Sequence, residues 1–319
     1  MPRSSRLEAA YEAARSYYDG GQTMEAIAES LHVSRSTVSR LLSEARAEGL
    51  VHISLHPPGV RRLAELQAGI RRRYRVEARV VPGRPGDSQR ERLRTVAAAA
   101  AGVIDDHLQP DMTVGLAWGT TIAAVAEQIR PRTLTGLRIV QLNGAINTLG
   151  SGLAYVATVL DRAGTMWDAA VHHFPVPAFF DYPSTRDALW RERSVRRVLD
   201  LQRECRLAVF GVGAFDSEVP SHVYSSGYLT EEDLAELRED GAVGDVCTVF
   251  LRPDGTWRDI RLNARGSGPD PEQLARIPRR ILIAAGARKA VPVRAALRAG
   301  VATDVVVDEV TAAQLLTLE

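Results

Sequence analysis

The chain has 319 residues, 45% of them hydrophobic, and its 40 basic and 39 acidic residues leave a net charge of +1 at neutral pH. That length is too great for a lone small binding module, and the near-neutral balance excludes a protein that coats polyanions indiscriminately. Cys205 and Cys247, far apart and without metal-ligand spacing, imply free thiols in a reducing cytoplasm and give no sign of a metal or cofactor. The longest apolar run, 96–104, is alanine-rich and far below the roughly 18 residues a membrane span needs; with no signal peptide in view, no membrane partner is expected.

In chain order, the first expected element is a helix over 6–19, ended by Gly20-Gly21. Residues 24–46 then read as a helix-turn-helix. Ala26, Ile27 and Leu31 form one apolar face, His32-Val33-Ser34 a tight turn, and Val38, Leu41, Leu42 and Ala45 recur at helical spacing. Ser34 is placed to cap the second helix, whose outward positions carry Arg35, Ser36, Thr37, Ser39 and Arg40. Short hydroxyls and arginines on such a helix suit phosphates and base edges in a major groove, so double-stranded DNA is the expected partner. Residues 1–56, the expected DNA-binding domain, hold six arginines against seven carboxylates. Binding must therefore rest on where the arginines sit, with low affinity per monomer and marked salt sensitivity.

A short strand is expected over 50–55, and His56-Pro57-Pro58-Gly59 breaks the chain. Residues 57–77 read as a linker helix, with Leu63, Leu66, Ile70 and Tyr74 in an apolar stripe suited to crossing to a second subunit. Its arginines are open to DNA contact or to plain solvation. The remaining 78–319 alternate between strands and helices. Strands are expected at 78–81, 113–117, 138–142, 207–210, 246–251, 281–285 and 304–307. Helices are expected at 91–107, 122–129, 153–163, 194–203, 231–238, 271–275, 292–298 and 310–316. This alternation predicts an α/β domain with a mostly parallel sheet covered on both faces.

In such sheets ligands sit beyond the carboxyl ends of the strands. Gly115-Leu116-Ala117-Trp118-Gly119-Thr120-Thr121 leaves a strand and enters a helix. It reads either as an anion cradle or as a threonine-capped helix after a glycine turn. Without a lysine in it, the element does not suggest a nucleoside triphosphatase. Loops carrying Asn143-Gly144, Gly213, and Gly286 with Lys289 occupy matching positions and would ring one crevice. Lys289 is the only lysine, arginine supplying every other basic residue; a compact ammonium at a crowded anion site, an amine needed for chemistry and chance survival are the three readings. Asp245 is either an acceptor for sugar hydroxyls or a turn aspartate. His172-His173 lacks a suitably spaced carboxylate, so no metal site is expected.

The helix-turn-helix followed in order by GLAWGTT, VQLNG, LAVFGVG, GAVGDVC, AAGARKAVPVRAALRAG and VVVDEVTAAQLL resembles the sorbitol-operon (SorC) family of bacterial transcriptional regulators over nearly the whole chain. The resemblance implies a sugar-binding domain similar to ribose-5-phosphate isomerase and glucosamine-6-phosphate deaminase, a phosphorylated sugar or free sugar as effector, and self-association to a dimer or tetramer. It places the effector phosphate at Gly119, Thr120 and Thr121, with Asp245 and Lys289 completing the pocket. Two positions depart from the pattern: the usual glycine pair before the lysine is Gly286-Ala287, and the usual Thr-Asp is Val307-Asp308. A dimer reading two half-sites about 34 Å apart would use an inverted-repeat operator. The competing reading is an isomerase- or deaminase-like enzyme carrying a DNA-binding domain, which requires a general base near neutral pH.

Overall fold

The computed structural model describes residues 3–51, 60–84, 86–150 and 152–318, without the side chains of residues 3–5 and 60. The chain divides into two compact units, Met1–Pro58 and Gly59–Glu319. Beyond Leu50 and Val51, which are not in a strand, the strand expected over 50–55 and the break at 56–59 lie outside the described residues.

The first unit packs α1 (Arg3–Tyr18), α2 (Met24–Ser30) and α3 (Arg35–Ala47) around Ala10, Ala13, Ala14, Ile27, Val38, Leu41, Leu42 and Ala45. Ile27, Val38, Leu41, Leu42 and Ala45 are expected apolar positions, whereas Ala26, expected on the same face, is exposed and Leu31 is half-buried; small alanines on α1 let the helices approach closely. Between α2 and α3 the chain turns through His32 in the left-handed region, at φ 52°. Val33 N–H donates to Ala28 O (2.9 Å) and His32 N–H to Glu29 O (3.2 Å), a pair of bonds that satisfies the last carbonyls of α2. Ser34 Oγ then accepts from Thr37 N–H at 3.2 Å and starts α3.

The second unit begins with α4 (Val60–Tyr74), β1 (Glu77–Val81), α5 (Gln89–Asp105), β2 (Thr113–Leu116), α6 (Thr120–Ala126) and β3 (Arg138–Gln141). It continues through α7 (Gly152–Trp167), β4 (Ala170–His172), α8 (Pro183–Leu189), α9 (Arg193–Arg203), β5 (Leu207–Gly211), α10 (His222–Ser225), α11 (Glu231–Glu239), β6 (Gly244–Val246) and β7 (Val249–Leu251). It ends with α12 (Pro271–Ala275), β8 (Arg279–Ala284), α13 (Ala290–Arg298), β9 (Asp304–Asp308) and α14 (Glu309–Thr317). Seven strands form one parallel sheet in the order β1-β9-β8-β5-β2-β3-β4.

Strand residues alternate between two cores, as the two-residue period requires. Leu207, Val209, Ile281, Ile283 and Val306 face the core shared with residues of α5, α6 and α7. Ala208, Phe210, Leu282, Val305 and Val307 face the core shared with α9, α13 and α14. Ile70 of α4 is fully buried in this second core, with Leu63, Leu66 and Tyr74 packed against it. Within the chain the α4 stripe thus packs on its own unit, through Ile70 fully and through Leu63, Leu66 and Tyr74 in part. Its arginines are tied down in part, Arg62 to Glu309 (2.8 Å) and Arg71 to Glu77 (2.7 Å).

The strand expected over 246–251 is instead a hairpin of β6 and β7, turning at Cys247 and Thr248, both with positive φ (50° and 67°). Asp245 Oδ2 accepts from Thr248 N–H at 3.1 Å and holds that turn. Between β2 and β5 the order reverses: the chain leaves β2 towards β3 and β4, and leaves β5 towards β8 and β9. Parallel strands that part in opposite directions open a crevice above their carboxyl ends.

Candidate functional site

A cleft of about 60 Å³, open to solvent, lies at that reversal, walled by loops after β2, β3, β5 and β8. Of the ten residues singled out in the sequence, Gly119, Thr120, Thr121, Asn143, Gly213, Asp245 and Lys289 line it. Gly115, Gly144 and Gly286 do not. A Cβ on Gly115 would lie 2.6 Å from Leu142, and one on Gly144 2.3 Å from Pro177 O, so both glycines serve internal packing. Gly286, at φ 101°, lies beneath the Gln89 side chain, which occupies the place of a Cβ. Its N–H donates to Asp308 Oδ1 (3.2 Å), fixing the lysine loop to the start of α14.

Gly119 precedes α6 at φ 131°, and no side chain caps that helix. The first amides of a helix have no acceptor inside it, so those of α6 are available at the cleft. Thr120 Oγ1 donates to Pro220 O at 3.0 Å. Gly213 lets Asp245 come close, since a Cβ there would be 1.8 Å from its Oδ1.

Lys289 is only 7% exposed. Its Nζ donates to Val212 O and Ser221 Oγ, each at 2.8 Å, leaving one of three ammonium hydrogens unassigned. Among the described residues no carboxylate lies within ion-pair distance of it. Burial pushes its pKa down to about 8, opposed by the field of Asp245. Asp245 is itself buried, and both its oxygens are occupied, Oδ1 by the Tyr224 hydroxyl (2.8 Å) and Oδ2 by Thr248. Burial raises its pKa against those two hydrogen bonds and Lys289.

Sequence reading missed Gln89, Ser221, His222 and Tyr224. Three of them belong to the stretch after β5, where the rule of strand-end loops points but no residue pattern does. His172 and His173 form no metal cluster, and none exists among the described residues; His173 Nε2 instead meets Asp161 Oδ1 at 3.0 Å. Both cysteines are free and buried.

In the first unit, Val38, Leu41, Leu42 and Ala45 of α3 face inward, while Arg35, Ser36, Ser39 and Arg40 are exposed and Thr37 is half-buried. Ser34 Oγ also contacts Ser36 Oγ (2.7 Å), and Arg35 pairs with Glu25 at 3.0 Å. The polar face of α3 therefore stands clear of the core.

A helix-turn-helix unit combined with an α/β unit that opens a cleft at its strand reversal defines a ligand-responsive transcriptional regulator. Residues 59–317 match the family model described as "Putative sugar-binding domain", and residues 4–52 match that of the Homeodomain-like domain. The chain is 29% identical over 306 residues to the deoxyribonucleoside regulator of Bacillus subtilis (strain 168), covering 96% of each. It is 25% identical over 315 residues to the erythritol catabolism regulatory protein EryD of Brucella abortus (strain 2308), again 96% of each. A domain of a possible sugar-binding transcriptional regulator from Arthrobacter aurescens TC1 is similar at TM-score 0.76 and 42% identity, covering 82% of this chain and all of that one. The full-length sorbitol operon regulator SorC from Klebsiella pneumoniae shares the fold at TM-score 0.71 and 23% identity, covering 98% and 99%. The chain belongs to the sugar-binding transcriptional regulator family of the SorC type.

Proposed function

We propose that a phosphorylated sugar enters the cleft at the ends of β2, β5 and β8 and thereby controls the affinity of the helix-turn-helix unit for an operator. The observation that carries this is Lys289: a buried ammonium with a hydrogen to spare, no carboxylate among the described residues in pairing distance, and the uncapped start of α6 in the same cleft. A phosphate would complete both sets of donors. Relatives named for deoxyribonucleosides, sorbitol and erythritol support a carbohydrate or related polyol as the rest of the molecule.

On the DNA side, Ser34, Arg35, Ser36, Thr37, Ser39 and Arg40 present α3 to a major groove, and self-association to a dimer or tetramer would bring two copies to an inverted repeat. The effector acts by binding one arrangement of subunits more tightly than another. Work on an operator places the protein in the cytoplasm, and no helix among the described residues is long and apolar enough to cross a membrane.

A binding role rather than catalysis is supported by Asp245, the one carboxylate lining the cleft among the described residues, whose two oxygens are already engaged. Among the described residues that leaves no carboxylate in the cleft free to take a proton from the sugar, as a carboxylate-based isomerase or deaminase would require. The deciding experiment is a gel-shift titration against the protein's own promoter region, with and without a panel of sugar phosphates. The expected result is a sequence-selective complex whose midpoint moves with one of the panel in the wild type and not in Lys289→Ala. Binding without sequence preference, or an equal response in the variant, would refute the proposal, as would sugar-phosphate turnover abolished by Asp245→Asn.

A further inference from the structure

A second cavity, of about 280 Å³, is lined by residues of α9, of α12 and of 267–269, and shares no lining residue with the cleft. In its lining Leu142, Pro269 and Ile277 are buried and Leu199 is half-buried. Trp190 adds a half-buried indole, held in place by the rings of Phe174 and Phe180, each 5.5 Å away. The polar side chains among these apolar ones have already spent their donors. Ser267 Oγ donates to Ala178 O (2.9 Å) and accepts from Gly144 N–H (2.8 Å), while Gln202 Nε2 donates to Gln141 O (2.8 Å) and Leu142 O (3.1 Å). A sugar entering here would lose water from its hydroxyls and gain few hydrogen bonds in return, whereas a flat apolar body loses nothing.

Charge in this cavity is of one sign and belongs to its exposed part. Arg203 and Arg276, both exposed, line it, and no carboxylate does. Arg203 is paired with Asp200, whereas Arg276 makes no ion pair among the described residues. One unpaired guanidinium matches one carboxylate, and at an exposed position both groups keep part of their water, which lowers the cost of bringing them together. The volume lies just under the roughly 300–1,000 Å³ of ordinary small-molecule sites, so the occupant is compact.

From this arrangement we infer that the cavity is a second small-molecule site, which takes a compact aromatic monoanion of the aryl carboxylate class. Its ring lies among Trp190, Leu199 and Ile277, and its carboxylate meets Arg276. The site does not depend on the phosphate reading of the cleft, and it gives the regulator a second ligand chemically unlike the first.

It is tested by calorimetric titration of the full chain, at fixed ionic strength, with benzoate, naphthoate, the corresponding amides and acetate. An aryl carboxylate is expected to bind once per chain, and its amide, which keeps the ring without the charge, about tenfold more weakly or worse. Acetate, which keeps the charge without the ring, should fall short by a similar factor. Arg276→Glu alters an exposed side chain outside any ion pair, so the melting temperature should hold while aryl carboxylate affinity drops about tenfold or more. In Lys289→Ala the same affinity should be unchanged. Failure of both aryl carboxylates to bind would overturn the inference, as would amides binding equally well or an undiminished affinity in Arg276→Glu. Loss of binding in Lys289→Ala would overturn it too, by placing the anion in the cleft.

Discussion

The two units separate folding from function in opposite ways. In the first, α3 turns Val38, Leu41, Leu42 and Ala45 inward and leaves its polar side chains outside, so the residues assigned to DNA take no part in the core. In the second, three of the residues assigned to the effector are themselves interior: Asn143, Asp245 and Lys289 are all buried. An exposed reading face can change its specificity at little cost to the fold. A buried site cannot, because Asp245 holds the Tyr224 hydroxyl and the Thr248 amide, and Lys289 holds Val212 O and Ser221 Oγ, so a change of either also costs its neighbours a hydrogen bond.

The sharpest way to break this contrast is to attack the smaller core. Leu42→Ala should cost about 3 kcal/mol, enough to unfold the first unit at moderate temperature while the second keeps its own transition. Calorimetry showing a single shifted transition would mean that the two units melt together. Next comes the pH dependence of the buried site. With the Lys289 pKa lowered to about 8 by burial, anion affinity should be full below pH 8 and fall about tenfold per pH unit above it. Stability should move the other way, rising from about pH 8 towards 10.5, because there the unfolded chain holds a proton that the folded chain has released. Titrations at pH 7, 8 and 9 check the first, and melting over the same series and above checks the second.

Smaller effects are expected at the exposed face. Arg40→Ala should leave the melting temperature unchanged, weaken operator binding by about 1 kcal/mol and lower the salt slope by about 1. Smallest is His32→Gly. Relieving a left-handed histidine at φ 52° should stabilise the first unit by about 0.5 kcal/mol, visible as a slightly higher melting temperature.

The same contrast explains what could be read from residue types alone. Helices α3 and α4 were legible because an apolar stripe at helical period marks their buried side, and the parallel sheet because β-branched runs alternate with helices. Helix α8 was not legible, since none of its residues is buried and so no stripe exists. Strand β4 spans only three residues, too few for a period. The β6–β7 hairpin turns on Cys247 and Thr248, neither of which belongs to the residues that ordinarily announce such a turn. In the cleft, glycine proved ambiguous. It signals that something approaches the backbone, and at Gly115 and Gly144 that something is the protein's own interior. His222 and Ser221 carry no local pattern, because their place in the wall is set by what the chain meets across the cleft.

A practical consequence attaches to the solitary lysine. Reagents that bridge pairs of side-chain amines find one such amine per copy, and it is 7% exposed. Lysine-directed cross-linking would therefore report separate chains whatever their true assembly, and the stoichiometry of this regulator on DNA has to be sought by mass, by scattering or through its many carboxylates.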